Sequence, residues 1–274
     1  MLGKLIKNDF KASAHSMLGI YLIAFAVYAA AAIAYTSDQN NATTIQIILT
    51  AVLILFSFAI LVIPIFQLLS YFNKSLYSNQ GYLSYTLPVK SESLLFSKAI
   101  VSFAWIVVAY AFFVSSYVLM FTNFVGKLDP EIKAMLGEIY DMINGPEKEV
   151  LIKFLVAILA VVLFEIIFLI SQIFFAITLS NVKPFNGFGA FGGIILFIVL
   201  FLVMNSINNE LLQNFPLSLR IRASGVSIVN LPMTGVKVPD SVLIGIAGFI
   251  FQFVAMIGMF IGTDYLMKKK VNIK

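Results

Sequence analysis

Residues 151–180 read LIKFLVAILAVVLFEIIFLISQIFFAITLS, and Lys153 and Glu165 are the charged side chains in this stretch. A helix of about 20 apolar residues is long enough to cross the roughly 30 Å hydrocarbon core of a bilayer. The stretch therefore predicts a membrane-spanning helix, and its extra length lets that helix tilt or protrude. It lacks the alternating polar residues of a strand in a membrane β-barrel.

Five further apolar runs of similar character lie on either side of this one, at residues 17–35, 45–72, 99–125, 188–207 and 241–266. The composition agrees, because 61% of the 274 residues are hydrophobic and only 11% are charged. Soluble domains carry about 25% charged residues. The sequence therefore predicts an all-α membrane protein, with six spans in a single transmembrane domain over residues 1–274.

The distribution of basic residues predicts the orientation of the spans. Six spans place both termini on one side of the membrane. Lysine and arginine favour the cytoplasmic side. The side with the termini holds Lys4, Lys7, Lys11, Lys74, Lys90, Lys98, Lys183, Lys268, Lys269, Lys270 and Lys274. The other side holds Lys127, Lys133, Lys148, Lys153, Arg220, Arg222 and Lys237. We therefore expect both termini in the cytoplasm, in a multi-pass protein of the cell membrane.

The N-terminal residues 1–16 have an amphipathic pattern at helical spacing. The apolar face carries Leu2, Leu5, Ile6 and Phe10, and the polar face carries Lys4, Lys7, Asn8 and Lys11. Such a helix can lie in the cytoplasmic interface with its lysines toward anionic membrane lipid. A simple extension of the first span is the alternative.

Two segments, residues 127–150 and 208–240, are predicted to be outer loops. In the first, Asp129 and Pro130 are typical of a helix start, and an apolar stripe up to Ile143 predicts a helix on the outer surface. The second is apolar in patches and contains Pro216, Pro232 and Pro239. We expect it to cap the outer end of the helices or to dip into them.

Enzyme and metal signatures are missing from the sequence. There is no cysteine, the single histidine is His15, and no glycine-rich phosphate loop occurs. The net charge of +5 does not indicate nucleic-acid binding, because the basic residues lie in short clusters between apolar runs. We predict no catalytic residue, no metal site and no cofactor in this chain.

Glu165 is the only ionisable residue in the middle of a predicted span. Carboxylates in a bilayer usually face the interior of the helix bundle, where they line a pathway or pair with another helix. Gln172 follows seven residues later, on nearly the same helical face. Both residues could line a transport pathway; the alternative is a hydrogen-bonded glutamic acid that holds helices together.

Small residues predict close helix packing at two places. Gly258 and Gly262 lie one turn apart in the last span, and Gly189 and Gly193 open the fifth. Such pairs let helices approach closely in a membrane. We expect this packing to occur within the chain rather than at a dimer interface.

The most informative stretch lies between the second and third spans, where residues 71–90 read YFNKSLYSNQGYLSYTLPVK. The second span should continue as helix to about Ser78, and Gly81 could end it in a left-handed conformation. Tyr82, Leu83 and nearby apolar residues would then lie outside the membrane. They could contact another protein or fold back onto the lipid headgroups.

Residues 72–98, with LYSNQGYLSYTLPV followed by LLFSK, resemble the segment between the second and third spans of Gram-positive ABC exporter permeases of the type-2 class. The number of spans, the N-terminal helix and the long last outer loop are also similar. The resemblance implies that this segment couples the permease to an ABC ATPase subunit that holds ATP and Mg²⁺. By this resemblance, the coupling surface would be formed or flanked by Leu76, Tyr77, Gly81, Tyr82, Leu83, Leu87 and Pro88.

The sequence and the resemblance together predict a permease subunit rather than an enzyme. Permeases of the class it resembles work in pairs, so the resemblance implies that a second copy, or a related permease, completes the pathway. The apolar spans favour export of a hydrophobic or amphipathic cargo, such as a peptide, a bacteriocin or a drug. Two alternatives are a membrane-embedded enzyme, for which Glu165 and Gln172 are too few polar residues, and a non-transporting protein such as an immunity factor or a sensor scaffold.

Overall fold

The computed structural model describes residues 2–37, 44–78, 81, 89–126, 148–183, 185, 189–215, 217–222, 225–230 and 242–269. Within them lie six long helices, which are α1 Leu2–Ser37, α2 Thr44–Tyr77, α3 Ser91–Gly126, α4 Lys148–Ser180, α5 Gly189–Asn214 and α6 Ile246–Lys269. All six are long and apolar enough to cross a membrane. The protein is therefore a multi-pass membrane protein with six candidate spans, as the sequence predicts.

Large apolar side chains on the outside of the helices agree with a lipid environment. Ile33, Leu55 and Phe191 are examples from three different helices, and each is well exposed. In water such surfaces would promote aggregation, but lipid tails are as apolar as these side chains.

The chain forms two compact units. The first comprises residues 1–76 and 80–137 and contains α1, α3 and nearly all of α2. Helix α1 packs along α3. Toward the C-terminal end of α1, the Tyr35 hydroxyl lies 2.7 Å from Thr50 Oγ1 of α2, and Ala31 and Leu53 are buried beside Tyr35.

The second unit comprises residues 77–79 and 138–274, and α4 packs there against both α5 and α6. A Cβ atom on Gly193 would lie 3.5 Å from the Ile177 side chain, and one on Gly262 would lie 3.0 Å from the Phe175 ring. The prediction of close packing within the chain is thus confirmed at Gly193 and Gly262. Gly258 faces open space, and the surroundings of Gly189 lie outside the described side chains.

A three-stranded antiparallel sheet in the second unit was not predicted. Its strands are β1 Ser218–Arg222, β2 Gly225–Val229 and β3 Val242–Gly245, in the order β2-β1-β3. Helix α5 also extends to Asn214, beyond the predicted boundary at residue 207. Open sheet edges are too costly in hydrocarbon, so we expect the sheet to lie outside the apolar layer.

The predicted last span, residues 241–266, was wrong at its start. Residues 242–245 pair with β1, with Ser218 opposite Gly245, and the helix begins only at Ile246. This pairing joins segments more than 20 positions apart, so no local pattern distinguishes these apolar residues from the first turn of a span.

The prediction of a separate N-terminal interfacial helix was wrong. Residues 2–16 do not form a separate interfacial helix, since they are the first turns of the continuous helix α1. The alternative interpretation, an extension of the first span, is the one observed. The predicted outer-surface helix after Asp129 lies outside the described residues.

Candidate functional site

The first unit contains a buried ion pair near the N-terminus of α1. Lys98 Nζ of α3 lies 2.9 Å from Asp9 Oδ1, and the two side chains are only 4% and 15% exposed. A charge removed from water is costly unless a partner and further hydrogen bonds compensate it. The surroundings of Asp9 therefore determine whether this pair is stable.

Two hydroxyl groups complete the shell around the Asp9 carboxylate. Tyr71 of α2 donates to Asp9 Oδ1 at 2.8 Å, and Ser97 of α3 donates to Oδ2 at 2.7 Å. The Lys98 ammonium also lies 5.1 Å from the centre of the Tyr71 ring, within cation–π range. Asp9 thus accepts charge-assisted hydrogen bonds from both α2 and α3. We call Asp9, Tyr71, Ser97 and Lys98 the Asp9 cluster.

The next turn of α1 continues the polar contact with α3. Trp105 Nε1 donates to Ser13 Oγ at 2.9 Å, and Ser13 Oγ donates to the Asp9 carbonyl at the same distance. The Trp105 ring stacks with the rings of Phe10 and Tyr21, with centroid distances of 4.7 and 5.7 Å. The α1–α3 contact is therefore both hydrogen-bonded and aromatic.

The Asp9 cluster lies near the two helix ends that border residues 78–90, the middle of the stretch 72–98 that resembles a permease coupling segment. Tyr71 is six residues before the end of α2, and Lys98 is seven residues after the start of α3. At a rise of 1.5 Å per residue these distances are about 9 and 10 Å along the helices. One carboxylate on α1 thus holds the two helix segments between which residues 78–90 run.

The predicted coupling residues fall into two groups. Leu76 and Tyr77 are buried, and the Tyr77 hydroxyl lies 2.6 Å from Thr178 Oγ1. These two side chains are therefore buried, and they can flank the predicted coupling surface but are not exposed on it. Tyr82, Leu83, Leu87 and Pro88 lie outside the described residues.

Gly81 does not adopt the predicted left-handed conformation. It is buried with helical backbone, and Gly225 is the glycine of the described chain with a positive φ, 145°. A Cβ atom on Gly81 would clash with the backbone carbonyl of Leu76. Gly81 is therefore required for close backbone approach, which explains its position without a left-handed cap.

The predicted pathway residues lie in the second unit. Gln252 Nε2 of α6 donates to Glu165 Oε1 of α4 at 2.9 Å, and Gln252 is buried. Gln172 is 1% exposed, and its Oε1 atom has no hydrogen-bond partner in the described part of the chain. The two predicted residues are therefore not joined, and Glu165 instead connects two helices.

Sequence reasoning missed the Asp9 cluster, although one feature could have indicated it. Asp9 follows Leu5 by four residues and Ile6 by three, so it lies on the apolar face of the N-terminal helix. A carboxylate on that face would enter hydrocarbon if the segment lay on the membrane. Asp9 therefore favours packing of this face against protein, as observed.

Among the described residues, no group of three or more His, Cys, Asp or Glu side chains could hold a metal ion. Comparisons with protein-family models, curated proteins and solved structures gave no match. The function is therefore inferred from the sequence pattern and from the geometry described above.

Proposed function

We propose that this chain is the permease subunit of an ATP-binding-cassette exporter of the cell membrane, with both termini in the cytoplasm. A separate ATPase subunit binds ATP and Mg²⁺ and hydrolyses the nucleotide. A second copy of the chain, or a related permease, encloses the pathway. The cargo is hydrophobic or amphipathic, such as a peptide, a bacteriocin or a drug.

The segment between α2 and α3 carries this proposal. Helix α2 has 34 residues and α3 has 36, which correspond to about 51 and 54 Å at 1.5 Å per residue. The hydrocarbon core measures only about 30 Å. The adjoining ends of the two helices carry Lys74 and Glu92, both exposed, which belong outside hydrocarbon.

These lengths support a coupling role for residues 78–90. If the extra turns extend on the side of Lys74 and Glu92, the segment emerges clear of the lipid, where an ATPase subunit can reach it. Rigid helices then transmit movement of that subunit into the membrane. These residues lie within the stretch 72–98, which carries the resemblance to exporter permeases.

Purification of the tagged chain from its native membrane in a mild detergent tests the proposal. We expect an ABC ATPase subunit to co-purify in a fixed ratio and to give vanadate-sensitive ATP hydrolysis. A preparation that contains the folded chain without an ATPase would contradict the proposal. It would favour a non-transporting membrane protein, such as an immunity factor or a sensor scaffold.

A further inference from the structure

The Asp9 carboxylate accepts hydrogen bonds and an ion pair from both helices bordering residues 78–90. Farther along α1, the hydrogen bonds of Tyr35 and Ser13 each reach one of these helices, at Thr50 of α2 and Trp105 of α3, and Ala31 and Tyr35 pack with apolar residues of both. A movement at either helix end must therefore act on Asp9.

The N-terminal part of α1 also has the features of a segment that binds a membrane surface. Its Lys4, Lys7 and Lys11 are exposed, and their spacing puts them on one face. Such a face can bind an anionic membrane surface. The Asp9 cluster, on the opposite side of the helix, keeps this segment against α2 and α3 instead.

We propose that Asp9 is a positioning residue that makes the N-terminal part of α1 move as one body with the adjoining ends of α2 and α3. This inference rests on the proposed function for its physiological role, because the force that moves these ends would come from the ATPase. The fixed arrangement itself does not depend on a partner. An experiment that contradicts this inference can therefore be distinguished from one that contradicts the proposed function.

A distance measurement between two spin labels tests the proposal. The chain has no cysteine, so Gly3→Cys on α1 and Phe96→Cys on α3 introduce unique label sites. A Cβ atom on Gly3 would have no neighbour within 4 Å, and Phe96 is well exposed. The distance between the two labels is measured in nanodiscs, first for the chain alone and then for the chain with its co-purified ATPase. The complex with the ATPase is measured without nucleotide and with ATP plus vanadate.

We expect a single narrow distance that stays the same in all these states. Asp9→Asn keeps the size of the side chain but removes its charge, and it should broaden the distance or make it depend on nucleotide. The charge-exchanged variant Asp9→Lys with Lys98→Asp should restore the narrow distance. Tyr35→Phe removes a hydroxyl contact between α1 and α2 at their other ends and should leave the distance unchanged.

A narrow, unchanged distance in Asp9→Asn would overturn the inference, whether or not an ATPase co-purifies. So would equal broadening in Tyr35→Phe, because the effect would then reflect general loosening of α1. If no ATPase co-purifies but Asp9→Asn alone broadens the distance, the positioning role stands and the proposed function falls. Protection of residues 2–14 by anionic vesicles in Asp9→Asn, but not in the native chain, would further support the inference.

Discussion

Asp9 and Lys98 are 89 positions apart in the chain, and their side chains form an ion pair with a nitrogen–oxygen distance of 2.9 Å. Both are largely removed from solvent, in contrast to Asp264 and Lys268, which form an ion pair within one helix with Lys268 47% exposed. The two pairs provide a matched comparison, because they use the same chemical groups in different surroundings.

Removal of one partner of the buried pair should strongly destabilise the first unit. Asp9→Ala leaves the Lys98 ammonium buried without a counter-charge, so we expect a loss of about 3–5 kcal/mol. Lys268→Ala should cost no more than about 0.5 kcal/mol, because its pair is exposed. Trp105 is the only tryptophan and donates to Ser13, one turn along α1 from Asp9, so its fluorescence during unfolding reports the change. Equal effects of the two substitutions would show that the Asp9 pair is not desolvated in the membrane.

The Glu165–Gln252 bond predicts a difference between two substitutions. Glu165→Gln retains an oxygen that accepts from Gln252, so stability should change little. Glu165→Leu leaves the buried Gln252 amide unpaired, which costs about 1–3 kcal/mol. Thermal unfolding in detergent measures both, and adding Gln252→Leu to Glu165→Leu should recover part of the loss. If Glu165→Gln keeps the expected stability and also alters export, Glu165 lines the pathway as well as joining two helices.

Gly81 and Gly19 should respond in opposite directions to alanine. Alanine normally stabilises a helix by up to about 1 kcal/mol relative to glycine, and Gly19 has free space for a Cβ atom. Gly81→Ala should be destabilising, because its Cβ would meet the Leu76 carbonyl, and Gly81→Val should be worse. The midpoint of thermal unfolding, compared between the variants, checks the sign. A stabilised Gly81→Ala would contradict the observed close approach.

Tyr82 and Leu83 are predicted to contact the ATPase subunit. Aromatic and aliphatic anchors often lose about 2 kcal/mol or more of binding free energy on truncation to alanine. The combined substitution Tyr82→Ala and Leu83→Ala should therefore reduce the amount of co-purified ATPase by at least about tenfold. Tyr265→Ala, which alters an exposed tyrosine of α6, serves as the control. Unchanged ATPase recovery in the double variant would remove the main support for the coupling role.

The orientation of the spans can be tested with introduced cysteines, since the native chain has none. Ala134→Cys, in the predicted outer loop, should react with an impermeant thiol reagent added to intact cells. Ser84→Cys, in the predicted cytoplasmic segment, should react only after the cells are opened. The opposite pattern would reverse the predicted orientation.

Local sequence determined the six helices, because each requires only a continuous apolar run of sufficient length in a solvent that demands internal hydrogen bonding. The end of α2 at Tyr77 was also predictable, within one residue of the expected Ser78. The small residues that allow close packing at Gly193 and Gly262 were also visible in the sequence, although their partners Ile177 and Phe175 on another helix were not. Helix formation and small-residue spacing depend on neighbours close in the chain.

Only the tertiary structure decided the partners of distant residues. The position of Asp9 on the apolar face favours a protein contact, but its partners Lys98 and Tyr71 lie 89 and 62 positions away and are brought to it only by the fold. Likewise, the sequence of β3 has the pattern of the first turn of a span, and only its pairing with β1 shows that it is a strand. Ion pairs and strand pairing gain their free energy from contacts that the chain makes after it folds, so a residue's own sequence neighbourhood does not specify them.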